Sequence, residues 1–524
     1  MEWSRYNRLF ESARFGLFLY NALSNTMMEL DEPHYRALAG MRERGGVSAP
    51  GEGGSAPGGV AAPGAQAAAE AAAPGAQAAF EPAAQAAVDP AAEPDFLALL
   101  RANKVLVAAG EEERLLLARH YARHARSFDG SHLGLTICPT LACNFRCPYC
   151  FEASQQEGAA MSPETVARLI AFIASFKDAR RLSIGWYGGE PTLAWDVIED
   201  LTARVQALDI ELEGAGLVTN GYLLDEAKIA RLNELRIRSI QITLDGPQEV
   251  HDARRMLAGG GPTYARILEN VALLVDSPYE GSCAIRVNLD KHNLEGFLEL
   301  HAELLERFAG KQLSVYPGHV HTGLGHAYEH SCNLDCDEWA ALTFDLHQRG
   351  GLVPKEGFYP AGNRHGTCVA TSHNGFVVGP RGELYKCWED VGNARMVIGD
   401  VHEEEPITDP ELRALYALGT DAYADPGCLA CNVLPICGGG CANRRLRAQH
   451  FGEEGLMVCS PYKDHITDYL EEYYDVYLSR ALLAVGLPAY DAAEADRGYR
   501  LVQPQKRRPE DESHSLAEPL GQER

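Results

Sequence analysis

CNFRCPYC, residues 143–150, places three cysteines at spacings of three and two, with Tyr149 just before the last. A tetrahedral zinc site asks for a fourth protein ligand nearby. The neighbouring Cys138 lies on the strand side of Pro139, outside the loop. A [4Fe-4S] cluster fits better, because three thiolates hold three irons and leave the fourth open to a substrate or cofactor. The loop follows the apolar segment GLTIC (134–138). Five more such segments come after it: LSIGWY (182–187), GLVTN (216–220), SIQITL (239–244), CAIRVNL (283–289) and QLSVY (312–316). Amphipathic stretches separate them, such as SPETVARLIAFIASF (162–176), with Ser162 as N-cap and Val166, Ile170 and Ile173 on one face. Alternating strands and helices predict a parallel sheet, here a partial (β/α)6 barrel, with functional residues at the C-terminal ends of its strands.

The whole chain sets the context for that loop. It has 524 residues and a net charge of −26, which repels phosphate backbones and anionic lipid and argues against a nucleic-acid partner. The N-terminus MEWSRYNRLFESARF is no secretory signal, and no apolar run is long enough to span a membrane, so a cytoplasmic protein is expected. Fourteen cysteines in a reducing compartment then read as metal ligands or redox thiols before disulfides.

Composition divides the chain. Residues 1–43 and 95–130 form a small N-terminal module. Its first part reads as two strands around Ser12 and Asn21–Asn25 and then a helix, and its second part as helix, strand, helix. An Ala/Pro/Gly insertion at 44–94, whose prolines break any helix the alanines start, reads as disordered. The barrel spans 131–320 and a bridging region 321–362. Residues 363–462 form a cysteine-dense, loop-rich domain that depends on metal for its fold. A closing helix covers 463–490, and 491–524 reads as a disordered charged tail.

The trio, an aromatic before its last cysteine and a β/α series behind it together resemble the radical S-adenosylmethionine (SAM) superfamily. That resemblance implies an open iron chelating the amino and carboxylate groups of SAM, whose reductive cleavage yields a 5′-deoxyadenosyl radical that abstracts substrate hydrogen. It implies contacts at successive strand ends. Tyr149 packs near the adenine. Gly188 and Gly189 of WYGGEP let the backbone approach the SAM amino group, and Glu190 complements its charge. Asn220 follows in TNG. In ITLDGPQEVHDARR (242–255), Thr243 stands where the family usually has the serine that touches the ribose, Asp245 lies beside it, and Arg255 meets the SAM carboxylate, with Arg254 as the alternative. Each motif alone is an ordinary turn, and their order along the chain carries the reading.

A second array, Cys368, Cys387, Cys428, Cys431, Cys437, Cys441 and Cys459, with Gly382 before Cys387, resembles the SPASM domain with its two auxiliary [4Fe-4S] clusters. By that resemblance Cys428, Cys431, Cys437 and Cys459 hold one cluster, and Cys368, Cys387 and Cys441 hold the other. The latter is one thiolate short: either a distant residue, Cys332 or Cys336, completes it, or the site stays open to a substrate atom or water. Cys138 and Cys283 read as buried packing, and His319, His321, His326 and His330 as loop histidines near a substrate cavity or merely exposed.

Enzymes of this kind mostly modify peptides. The N-terminal module therefore reads as winged-helix-like, similar to the leader-peptide element of ribosomal-peptide (RiPP) maturases, binding by strand addition. The expected function is cross-linking of a precursor peptide through a thioether or carbon–carbon bond, with a flavodoxin- or ferredoxin-type reductant. The alternative is an anaerobic sulfatase-maturating enzyme. That family has an aspartate directly after the cysteine matching Cys387, where this chain has Trp388, leaving Glu389 and Asp390 as weak candidate bases. A non-catalytic iron–sulfur carrier is the third reading, and it has no use for the SAM-type stretches.

Overall fold

A computed structural model describes residues 1–44, 93–150, 152, 158–320, 332–354, 357–361, 368–483 and 498–502. The bulk of the 44–94 insertion, together with His321, His326 and His330, lies outside the described residues. The chain forms two compact units, Met1–Arg114 with Tyr477–Pro504, and Leu115–Val476 with Gln505–Arg524. No helix among the described residues is long and apolar enough to cross a membrane.

In the first unit, β1 (Glu2–Trp3) pairs antiparallel with β5 (Leu106–Val107), while β2 (Asn7–Ser12), β3 (Gly16–Asn21) and β4 (Thr26–Leu30) form an antiparallel meander. The sequence predicts two strands here, and the structure has three. Asn21 explains the turn between the last two: its Oδ1 accepts the Ser24 N–H at 2.8 Å, and its Nδ2 donates to Asn7 Oδ1 at 2.7 Å and Lys104 O at 2.9 Å. Helices Glu32–Arg44 and Pro94–Ala102 cover the sheet, burying Leu38, Phe96 and Leu100 against Leu19, Met28 and Leu30.

The second unit is built on the six predicted strands: β6 (His132–Ile137), β7 (Arg181–Trp186), β8 (Glu211–Thr219), β9 (Ile237–Leu244), β10 (Ser282–Leu289) and β11 (Leu313–His319). Each pairs in parallel with the next. Strand residues such as Leu135, Ile184, Leu217, Ile242 and Ile285 are fully buried beneath the connecting helices, as strands covered on both faces require. Ser162 caps helix Pro163–Ser175 by accepting from Thr165 N at 3.1 Å.

Two differences from the sequence reading have physical causes. The cysteine-rich segment extends the same sheet: β12 (Gly375–Val378) pairs in parallel with β6, followed by β13 (Glu383–Tyr385) and β14 (Gly399–Asp400). Gly382 makes the β12–β13 turn at φ +99°, where a Cβ would meet Val401 and His402 at 2.8 Å. Strands of two to four residues are too short to leave a periodic pattern. Further, part of the expected tail is β15 (Tyr499–Val502), which pairs antiparallel with β4 and completes the order β15-β4-β3-β2. Val502 is buried and Tyr499 packs on Phe96, so the apolar alternation of YRLV outweighs its charged surroundings. The expected 463–490 helix is Tyr462–Leu483 among described residues, with a break at His465. Ending the chain after Gly498 should raise amide exchange at Met27–Leu30 by about tenfold or more, roughly 1.4 kcal/mol of local stability. Unchanged exchange there would show that β15 contributes nothing.

Candidate functional site

The cysteine loop leaves β6 and is closed by backbone on three sides. Cys138 N donates to Val378 O of β12 at 2.9 Å, and Gly189 N and Glu190 N donate to Thr140 O and Ala142 O at 3.2 and 2.9 Å. Opposite, Arg146 N donates to Met256 O at 3.0 Å and Ala258 N to Asn144 O at 2.7 Å. The two glycines are there for this contact. A Cβ on Gly188, at φ +112°, would lie 2.4 Å from Thr140 O, and one on Gly189 would lie 2.3 Å from Leu141 O.

Cys143, Cys147 and Cys150 come within electrostatic reach of one another. Burial pushes the Cys143 thiol up to about 12, with Glu190 and the two other cysteines adding to it and only the Phe145 N–H, 3.4 Å from Sγ, opposing. Burial likewise raises Cys147, against the pull of Arg255. The Cys143 and Cys147 thiols held this way stay neutral without a cation, whereas metal charge converts such thiols to thiolates. Two buried donors beside the loop, Asn144 Nδ2 and Arg255 Nε, have no hydrogen-bond partner among the described residues. The donor set fits a cluster with an anionic ligand next to it.

The predicted contact residues do gather around this loop, but several are occupied with each other. Glu190 is wholly buried; Oε1 accepts from Thr192 N at 3.0 Å and Thr219 Oγ1 at 2.7 Å, and Oε2 from Asn220 N at 2.7 Å. It thereby ties the ends of β7 and β8 together. Asn220 reaches the cysteine loop itself, donating to Asn144 Oδ1 at 2.7 Å. Tyr149 is a hub: its hydroxyl donates to Asp245 Oδ1 at 2.9 Å and accepts from Arg255 at 2.7 Å and Asn288 at 3.3 Å. Thr243 is buried at the end of β9.

The two arginines separate. Arg254 donates to Asp245 at 3.0 Å and in bidentate fashion to Asp290 at 3.3 and 2.7 Å, and both carboxylates are fully buried. Arg255 donates to Tyr149, lies 5.7 Å over the Phe145 ring and keeps an Nε with no hydrogen-bond partner among the described residues. Arg254 is therefore a structural clamp, whereas Arg255 retains a donor. Asp290, Asn288 and Asn144 escaped the sequence reading. Only Asn144, inside the cysteine stretch, carried a signal by position.

Residues 137–304 match the family model of the Radical SAM superfamily. The chain is thus an enzyme that carries a radical SAM domain. It is 22% identical over 381 residues to the serine-type anaerobic sulfatase-maturating enzyme of Bacteroides thetaiotaomicron, covering 63% of this chain and 88% of that one. The solved structure of native anSMEcpe with bound AdoMet and Cp18Cys peptide superposes with a TM-score of 0.50 at 19% identity, over 66% of this chain and 97% of its own. Streptococcus suis SuiB bound to precursor peptide SuiA covers 89% of this chain and 99% of its own, with a TM-score of 0.44 and 17% identity. A radical SAM domain implies a [4Fe-4S] cluster.

The later cysteines of the chain, beyond the radical SAM domain, fall into groups. Cys368 and Cys441 lie near Cys387, and Cys428 and Cys431 lie near Cys437. Cys336 sits beside Cys459, with Sγ 3.6 Å from the Cys459 carbonyl, and Cys332 Sγ is 2.8 Å from His292 Nε2. Glu389 is close to both Cys387 and Cys441. Asp390 is buried, accepting from Tyr416 and from Asn443 at 2.8 Å, which makes it an interior anchor. Cys138 and Cys283 are buried as expected. His319 is also buried: it is hydrogen-bonded to Leu334 O at 2.8 Å and stacked on Trp339, so it is no exposed loop histidine.

Replacing Arg255 with Ala should weaken SAM binding about tenfold or more, as loss of a charged hydrogen bond does, with little change in melting. Arg254→Ala should instead destabilise the fold by about 3–5 kcal/mol, because it strands Asp245 and Asp290. Calorimetric titration and thermal melts check both. The opposite pattern would reverse the assignment.

Proposed function

We propose that this radical SAM enzyme is a peptide maturase that abstracts hydrogen from a ribosomally made precursor and installs a thioether or carbon–carbon cross-link. The bound SAM and its cluster supply the hydrogen-abstracting radical, and the chain's own residues supply position and charge. The observation that carries this reading is the first unit, an antiparallel sheet whose order ends at β2. An end strand offers the backbone groups to which an extended leader peptide adds by strand pairing. Tyr149, Asn220, Thr243 and Arg255 are proposed to hold SAM, with Gly188, Gly189, Glu190 and Asp245 shaping the pocket through the contacts described above. Cys428, Cys431 and Cys437, with Cys459, and Cys368, Cys387 and Cys441 are proposed as the ligands of two auxiliary clusters that take up the surplus electron; a flavodoxin- or ferredoxin-type protein is the proposed reductant.

Sulfatase maturation is the second reading, favoured by the likeness to curated sulfatase-maturating enzymes. Against it stands Trp388 directly after Cys387, with Asp390 turned into the interior rather than toward a substrate.

Anaerobic incubation with SAM, reductant and a short peptide encoded beside this gene should release 5′-deoxyadenosine and leave the peptide two hydrogens lighter, with no adduct on treatment with a hydrazide. A hydrazide adduct on a sulfatase-derived peptide, with the neighbouring peptide unchanged, would favour formylglycine formation instead.

A further inference from the structure

Two histidines and an aspartate, none of them part of the cysteine arrays, converge. His120 and His124 stand four residues apart on one face of helix Glu111–Ser127, so their rings emerge one turn apart with centroids 4.5 Å from each other. Both Nε2 atoms point at the same atom, Oδ2 of Asp421, at 2.6 and 2.7 Å, and the three donor atoms lie within 4.8 Å of one another. The other aspartate oxygen is held separately: Oδ1 accepts the Tyr423 N–H at 3.0 Å and faces Arg123 at 3.9 Å. Burial would raise the Asp421 carboxyl, but Tyr423, His124 and Arg123 outweigh it and hold it below the ordinary range, so the oxygen shared by the histidines is anionic.

We propose that His120, His124 and Asp421 form a site for one divalent transition-metal cation of the zinc class, separate from every cysteine cluster. Two imidazoles and one carboxylate are the borderline donor set that zinc takes, and Fe(II) takes it more weakly. Opening the two N–O separations to about 3.3 Å, the spacing of ligands on a tetrahedral ion with bonds near 2.0–2.1 Å, needs only small side-chain shifts. The imidazoles are about one-third exposed while Asp421 is buried, which leaves the outer corner to water.

The location gives the metal a task. The same helix donates from Arg119 to Pro435 O at 3.0 Å and from Arg123 to Gly438 O at 2.5 Å, and these carbonyls flank Cys437. His120 also stacks on Tyr423. A cation at this point fastens the helix to the turn that presents Cys437, so it stiffens a proposed cluster ligand without touching it. Arg123 is no obstacle, since its guanidinium is engaged by the Gly438 carbonyl and the far aspartate oxygen.

The test uses the iron–sulfur-loaded chain, whose cluster thiols are already occupied. After equilibration with zinc and gel filtration, elemental analysis should find about one zinc per wild-type chain. A His120→Ala/His124→Ala variant should retain none, and Asp421→Asn should bind at least tenfold more weakly by competition with a fluorescent chelator. Iron and sulfide contents equal to wild type show that the variants fold, and zinc should raise the wild-type melting temperature only. Failure of the wild type to retain zinc, or equal affinity in the variants, would overturn the proposal and leave the trio a hydrogen-bonded pair of histidines on a carboxylate.

Discussion

The structure depends on one close backbone contact, that of the Gly188–Glu190 turn with the cysteine loop. The carbonyls of Thr140 and Ala142 receive N–H groups from that turn, and no side chain fits between the two segments. Because the turn ends β7 and the loop leaves β6, the parallel pairing of these strands sets where the three thiols stand. Glu190 extends the constraint to β8, and Asn220 returns it to Asn144 in the loop. A shift at any strand end would therefore move the thiols.

Around that frame lies a buried polar network with balanced formal charge: Arg254 and Arg255 against Asp245 and Asp290, with the Tyr149 hydroxyl bonded to Asp245 and Arg255. Such networks are costly unless every member is satisfied. Here the atoms with no partner among the described residues, Arg255 Nε and Asn144 Nδ2, border the cysteine loop, where a ligand would meet them. The residues resembling cofactor contacts thus divide into those that build the pocket and those with a donor left for a guest. Motif matching cannot make that division, since Arg254 and Arg255 are adjacent and chemically alike.

Legibility followed length and periodicity. Each of the six parallel strands β6 to β11 is an apolar run of five or more residues beside an amphipathic helix, and all six were recognisable, as were the helices at Pro163–Ser175 and Tyr462–Leu483. The short strands β12 to β14 were hidden because pairing with β6, a partner more than two hundred residues away, stabilises them. YRLV at 499–502 was hidden by the charged residues after it. The cysteine spacings are visible in the sequence, while the proximity of Cys336 to Cys459 and of Glu389 to Cys441 depends on loop paths that no local pattern encodes. The His120–His124–Asp421 trio combines a visible helical spacing with an aspartate some three hundred residues away.

The central claim is that Cys143, Cys147 and Cys150 bind three irons and leave the fourth to SAM. Electron paramagnetic resonance of the dithionite-reduced, cluster-loaded protein with and without SAM tests it most directly, with the Cys143→Ala/Cys147→Ala/Cys150→Ala variant as reference. The account predicts that SAM shifts the g-values of one reduced cluster in the wild type and changes nothing in the variant. An identical wild-type spectrum with and without SAM would contradict it.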